Sequence, residues 1–484
     1  MKNPSIDSFI LKTQNLSRSA ILSSSKDFTY SQLLADTDSL SVFFINNGIK
    51  KSEQVAIIYN NSIQFIKIII SLWKINAVPI VLNTRLTELE LNDQIKFAEC
   101  RKVITDPEIK LNKDFLNAEI LYIPENLNQT DSISSNIQSG NTALIIFTSG
   151  SSGKPKAVVH TFESLYQSAL ISNQILDQLF ESRWLASLPF YHIGGFSILT
   201  RSLLFSCSIV LPDSLKTESI AESFVRFSPT HCSLVPTQLK RLIESGIRPD
   251  KELTKVLIGG GAITKNQTEE ALKNNWPIFK VYGSTETASF VAAVDTNEIK
   301  MKSESVGKII EPNEIKIVDE NRKICETMKS GEILIKSPAL FKGYINNKSE
   351  TKNNLIDDWY YTGDIGRLDK DGYLFLDARK TDLIISGGEN INPKEIEEIL
   401  LTHPEISDAI VFPIDDDEWG QIPIALIVKK NISALLNSES LKDFLKNFLA
   451  GYKIPHKIFF EETIKRNELG KIDRNLFKEK YQTL

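Results

Sequence analysis

The segment ALIIFTSGSSGKPKAVVH (143–160) holds the residues best suited to chemistry in this chain: Thr148, Ser149, Gly150, Ser151, Ser152, Gly153, Lys154, Pro155 and Lys156 follow directly on an apolar run. Glycine lets a backbone take positive φ or approach a ligand closely, and the exposed N–H groups form a concavity for anions. With hydroxyls and lysines beside them, the suited task is holding a chain of phosphates. The spacing is not that of a Walker P-loop: Gly150 and Gly153 stand too close, and Pro155 follows Lys154 where the Mg²⁺-binding hydroxyl would be. The alternative is a surface turn rich in Ser and Gly, which the apolar strand and the two lysines argue against. His192 is a second candidate, set in the apolar LPFYHIGGF (188–196), where a buried, satisfied histidine is the ordinary outcome.

A phosphate loop works only if a rigid element delivers it. β-rich runs at 55–59 and 78–82 alternate with helical patterns at 62–74 and 87–98, which predicts βαβ units and a largely parallel sheet. Thr87 and Glu90 have the spacing of a capping box, which supports a helix start there. Further strand-like runs at 142–147, 183–188, 208–211, 255–258 and 278–282 are each followed by a loop bearing glycine or proline. Ligands of open α/β sheets bind in such loops, at the carboxyl ends of strands.

After about residue 300, NEIKIVDE, GEILIKS and DGYLFLDAR read as antiparallel strands, a β subdomain spanning about 300–380. Beyond 382 a compact α+β unit is predicted, with a helix over 393–401 opened by proline, strands at 409–412 and 423–428, and a helix near 440–449. The expected fold is α/β: a large N-terminal domain (1–380) with two mostly parallel sheets and a β subdomain, and a small C-terminal domain (381–484).

Bulk properties exclude several classes. At 484 residues the chain exceeds what one core organises, so more than one domain is expected. A formal net charge of -5 supplies no basic field for nucleic acid or an anionic membrane. The apolar stretch 65–73 is interrupted by Lys67 and is too short to span a bilayer, and the N-terminal segment does not read as a signal peptide, so a cytoplasmic protein is expected. Cys100, Cys207, Cys232 and Cys325 are widely spaced, which predicts reduced thiols rather than a disulfide framework or zinc site.

Residues 148–156 resemble the signature of the acyl-adenylate-forming superfamily, and other segments match in the family's order. They are YHIGG (191–195), GGGA (259–262), VYGSTETAS (281–289), YTGDIGRL (361–368), DARKTDLIISGGENINPKEIE (377–397) and ELGKIDR (468–474). The chain is identified as a member of the acyl-CoA synthetase branch. The resemblance implies two half-reactions. A carboxylate first attacks the α-phosphate of ATP, expelling pyrophosphate and forming an acyl-adenylate; the acyl group then passes to the thiol of coenzyme A.

The resemblance also implies the site. Lys471 is the lysine that bridges carboxylate and α-phosphate, a task suited to a long cationic side chain on a mobile loop. Glu286 is the carboxylate for Mg²⁺, a hard cation that takes oxygen ligands. Thr148, Ser149, Gly150, Ser151, Ser152, Gly153 and Lys156 attend the β and γ phosphates, and Thr148 is also counted as catalytic. Gly259, Gly260, Gly261, Tyr282, Gly283, Ser284 and Thr285 contact adenine and the α-phosphate, Asp364 the ribose, and Arg379 ribose or phosphate. His192 gates the acyl site; His160, His231, His403 and His456 read as structural. Thr381 is the hinge of a C-terminal domain that rotates, withdrawing Lys471 and bringing Gly387 and Gly388 to the thiol's tunnel; Lys453 and Lys465 are set aside.

Within the branch, SLPFYHIGGFSILTRSLLF (187–205) and RKTDLIISGGENINPKEIE (379–397) resemble the 2-succinylbenzoate–CoA ligases of menaquinone biosynthesis. His192, Gly195, Arg201 and Gly260 are then the candidates for holding the acid, Arg201 through its second carboxylate, although a structural arginine is the competing reading. A fatty or aryl acyl-CoA synthetase and an adenylation protein that loads a carrier's pantetheine arm are the alternatives. The expected partners are ATP, Mg²⁺, coenzyme A and a small carboxylic acid, and a homodimer is implied by the family.

Overall fold

The computed structural model describes residues 5–12, 15–109, 111, 118–128, 130–133, 135–148, 155–261, 263–379, 383–430, 436–464 and 474–482. Three sheets organise them. The first runs in the order Gly343–Tyr344, Lys156–Thr161, Thr142–Thr148, Val78–Val81, Gln54–Ile58, Lys102–Thr105, Glu119–Leu121. From Thr142–Thr148 to Glu119–Leu121 the neighbours are parallel. Lys156–Thr161 returns antiparallel, with Thr148 opposite Lys156, so a hairpin fixes both ends of the glycine-rich loop.

Helices cover this sheet and start where the sequence predicts. Ser62 caps Ile63–Lys74 by accepting from the Phe65 N–H, and Lys67 leaves that apolar helix for Asp36 at 2.5 Å. Among the described residues no helix is long and apolar enough to cross a membrane. The capping box at Thr87 forms, with its N–H donating to Glu90 at 2.8 Å, and opens the helix Glu88–Phe97.

The second sheet holds six parallel strands, Ser19–Ser23, Ser208–Leu211, Arg183–Leu185, His231–Leu234, Lys255–Ile258 and Ile278–Tyr282. The antiparallel strands expected near 300–380 extend this same sheet, hydrogen-bonded to it through Ala292–Val294. The physical reason is a shared core: Leu374, Ile333 and Ile335 pack with Tyr282 and Val291.

The third sheet is built on a long hairpin, Ile406–Asp416 with Gly420–Lys429, flanked by Ile384–Ser386, Glu389–Ile391 and Lys457–Phe460. Its strands outrun the predicted 409–412 and 423–428 because both faces are covered: Ala409 and Val411 face one core, Ile410 and Phe412 the other. The helix Pro393–Leu401 begins at its proline as predicted. The last predicted helix starts earlier, at Ser438, because Asn437 caps it by accepting from the Ser440 N–H at 2.9 Å. Thr381, the expected hinge, lies outside the described residues.

Candidate active site

At the carboxyl ends of the strands Lys255–Ile258 and Ile278–Tyr282 lies a cavity of about 820 Å³ that all three sheets help to wall. Its floor is made by glycines that local geometry demands. Gly260 has φ +72°, which a side chain rarely adopts. A Cβ on Gly283 would lie 2.4 Å from the carbonyl of Ser289, so only glycine lets the turn that follows fold back. In that turn Thr287 Oγ1 accepts from the Ser284 N–H at 2.8 Å and the Ser289 N–H donates to the Ser284 carbonyl at 2.9 Å. Ser284 Oγ is buried on the cavity wall, without a hydrogen-bond partner among the described residues.

Behind the turn, His160 is wholly buried, with Nε2 bonded to the Thr285 carbonyl at 2.7 Å and Nδ1 to Ser164 Oγ at 3.1 Å. Burial pushes its pKa down to about 4, so it serves as a neutral brace. Glu286 is buried at the rim, and Tyr344 Oη donates to its Oε1 at 2.9 Å. One carboxylate oxygen is thereby oriented and the other is left to the cavity, which fits a cation that keeps waters and phosphate oxygens as its remaining ligands. Among the described residues no cluster of three His, Cys, Asp or Glu forms an all-protein metal cage.

Asp364 sits in the strand Trp359–Leu368, where Gly363 at φ +75° turns the chain and Tyr282 Oη donates to Asp364 Oδ2 at 2.9 Å. Lys156 is ion-paired with Glu350 and lies over the Tyr344 ring at 5.2 Å; the Lys156 partner holds the Glu350 carboxyl below its ordinary value. Arg201, on the helix Ile193–Phe205, is 1% exposed and lines the cavity. It donates to Ser289 Oγ at 3.3 Å and its Nε has no hydrogen-bond partner among the described residues; burial pushes its pKa down to about 9, which leaves it a cation at neutral pH.

On the side facing the third sheet, His192 Nε2 meets Glu389 Oε2 at 3.0 Å, and Arg85 reaches the other oxygen at 3.1 Å. Burial raises the Glu389 carboxyl, but the neighbouring His192 and Arg85 outweigh it and hold the pKa below its ordinary value. Gly387 and Gly388 line the cavity beside it; a Cβ on Gly388, at φ +86°, would press on Val235 Cγ1 at 2.7 Å.

Thr148, Lys156, His192, Arg201, Gly259, Gly260, Gly283, Ser284, Thr285, Glu286, Asp364, Gly387 and Gly388 therefore share one cavity. Three expected residues do not line it. Gly195 packs on the chain behind, where a Cβ would stand 2.0 Å from the Pro189 carbonyl oxygen, and Gly194 lines the wall instead. Gly261 turns toward Ile385, and Tyr282 is buried behind the wall, directing its hydroxyl at Asp364 rather than a face at the cavity. Ser149, Gly150, Ser151, Ser152, Gly153 and Lys471 lie outside the described residues, and of Arg379 only the backbone is described, paired with Asp364. Arg85, Tyr344 and Glu350 had no sequence signal; Glu389 stood within the GGEN segment and was passed over for its glycines.

A large cavity at strand ends, with a carboxylate oriented by a tyrosine, a strand aspartate and a glycine-rich loop whose ends a hairpin fixes, suits an enzyme that activates its substrate on a nucleotide phosphate. The comparisons make this specific: the chain belongs to the AMP-binding enzyme family, whose sequence model matches residues 12–345, with the model of the family's C-terminal domain matching 395–471. It is 35% identical over 441 residues to a 2-succinylbenzoate–CoA ligase of Geobacillus sp. (strain WCH70), covering 90% of this chain and 89% of that one. A double mutant of o-succinylbenzoate CoA synthetase from Bacillus subtilis, bound with its product analogue OSB-NCoA, superposes with a TM-score of 0.92 at 30% identity over 98% of each chain. The Bacillus subtilis enzyme in complex with ATP and magnesium ion superposes with a TM-score of 0.74, at 30% identity and the same coverage.

Proposed function

We propose that this ligase activates 2-succinylbenzoate with ATP and Mg²⁺ and transfers the acyl group to coenzyme A. The observation that carries the choice of acid is Arg201. A cation buried without a counter-charge is costly, by several kcal/mol. Among the described residues no carboxylate pairs with it. A substrate with a second carboxylate supplies the missing charge, and a fatty acid does not. The named activity of the Geobacillus and Bacillus subtilis relatives supports the same reading.

The residues divide the work by chemistry. Carboxylate oxide is a poor leaving group, so the first half-reaction installs AMP on the acid. Asp364, directed by Tyr282, would accept from the ribose hydroxyls, and Ser284 Oγ would donate to the α-phosphate. Glu286 would hold Mg²⁺ through the oxygen that Tyr344 leaves free; the ion, when bound, offsets phosphate charge. Lys471 would add a cation at the attacked phosphate. In the second half-reaction the thiol would enter past Gly387 and Gly388, with His192 held aside from the acyl carbonyl by Glu389.

Pyrophosphate release over a panel of carboxylic acids, with and without coenzyme A, tests this reading. We expect succinylbenzoate to give release and, with coenzyme A, its thioester. Release with palmitate-like acids alone would assign a fatty acyl-CoA synthetase, and adenylation without transfer to free coenzyme A would point to a carrier protein as acceptor.

A further inference from the structure

Lys453 is a buried cation outside the larger cavity. Its Nζ lies 2.6 Å from Glu90 Oε1 and 2.8 Å from Glu395 Oε1, and the three side chains are 8%, 11% and 18% exposed. Glu90 belongs to the helix Glu88–Phe97 on the first sheet; Lys453 and Glu395 belong to the C-terminal unit. The same helix start makes two more bonds across the boundary: Glu90 Oε2 accepts from the Ala450 N–H at 3.0 Å, and Thr87 Oγ1 donates to the Phe448 carbonyl at 3.3 Å. One glutamate thus caps its own helix with one oxygen and binds the other unit with both. Burial disfavours the Lys453 charge, but the two carboxylates outweigh it and raise its pKa, while burial of Glu395 raises that carboxyl against the pull of Lys453.

Contacts of this length depend on one orientation of the C-terminal unit, because a rigid rotation about a chain hinge carries Lys453 away from Glu90. The chain superposes with a TM-score of 0.92 on the relative bound with a coenzyme A product analogue and of 0.74 on that bound with ATP and magnesium ion, and in the present orientation Gly387 and Gly388 line the larger cavity. A second cavity, of about 80 Å³, is lined by Lys453 and Glu395 and also by Thr148, His192 and Glu389, three residues that line the larger cavity too, whereas Glu90, Lys453 and Glu395 do not line the larger one.

We propose that Glu90 and Lys453, with Glu395, are positioning residues for thioester formation: they latch the C-terminal unit in the orientation that presents Gly387 and Gly388 to the adenylate. The proposal rests on the two-step reaction above but on no particular acid. The test uses Glu90→Gln, which keeps a capping side chain while removing the charge, together with Lys453→Met and the double variant, on any acid that the unaltered enzyme adenylates. Adenylate formation is read as the first-turnover pyrophosphate burst without coenzyme A, and transfer as thioester formed from isolated acyl-adenylate plus coenzyme A.

Each single variant is expected to keep its burst rate within about twofold and to lose about tenfold or more in transfer, the double variant being no slower than the slower single one. Equal loss in both steps, or an unchanged transfer rate, overturns the latch. Should Lys453→Met fail to fold, Glu90→Gln decides alone. The unaltered enzyme's response to succinylbenzoate reports separately on the substrate.

Discussion

Nε2 of His192 lies 3.0 Å from Oε2 of Glu389, 197 residues further along the chain. The contact joins the start of the helix Ile193–Phe205 to a strand of the third sheet, and Arg85, from the loop after the strand Val78–Val81, completes it. The residue expected to gate the acyl site is therefore held by a carboxylate of the C-terminal unit.

Replacing Glu389 with Gln keeps the shape and removes the charge that faces Arg85 and His192. A hydrogen bond to a charged group contributes about 1.5–3 kcal/mol, so transfer from isolated adenylate to coenzyme A is expected to slow roughly tenfold to a hundredfold. Rapid-quench measurement of thioester formation checks it; an undiminished rate removes Glu389 from the second step.

Arg201→Ala takes away the buried cation. For succinylbenzoate we expect KM to rise about tenfold to a hundredfold, on the strength of one charged hydrogen bond, and kcat to change less. The monocarboxylate analogue lacking the distal acid is the control: its KM should scarcely move. An equal rise for both acids would make Arg201 a structural residue.

Glu286→Gln removes the oxygen charge proposed to hold Mg²⁺. Pyrophosphate release is expected to fall by about a hundredfold or more and to require higher Mg²⁺ for what remains. Tyr344→Phe, which loses only the orienting hydroxyl, should fall by about tenfold. An unshifted Mg²⁺ dependence in Glu286→Gln would move the ion elsewhere.

Acid sensitivity follows from two histidines. Burial lowers His160 and His231 from 6.5 to about 4, so the folded state favours their neutral forms. A depressed folded pKa means that the stability is fully present above 6.5 and is lost as the pH falls toward 4. Melting temperature should therefore decline across that window, and His160→Gln should flatten the decline. A profile as steep as that of the unaltered protein would contradict the assignment.

Gly283→Ala places a methyl 2.4 Å from the Ser289 backbone. Overpacking of this kind costs about 1–3 kcal/mol and displaces the turn that carries Glu286. We expect a lower melting temperature and a large loss of adenylation. Gly261→Ala, whose Cβ would meet Ile385 at an ordinary 3.5 Å, should melt like the unaltered protein.

Much of the frame was legible in the residues. Alternating apolar runs marked the parallel strands, and Thr87 with Glu90 and Pro393 marked helix starts. These are local signals, because backbone periodicity and caps act within a few residues. Gly195 and Tyr282 show the limit: each sits in a segment assigned to the site, yet a close backbone contact turns one away and a hydroxyl bond to Asp364 turns the other.

By itself the sequence determined the class of fold, the order of its elements and the family's chemistry, since motif spacing and hydrophobic period depend on neighbours along the chain. Only the tertiary structure decided that Arg201 is a buried cation without a carboxylate among the described residues, that Glu389 holds His192, and that Lys453 ties the C-terminal unit to Glu90. Those facts depend on burial and on contacts between residues hundreds of positions apart. Charge in such places is governed by what surrounds it in space, which no local pattern encodes.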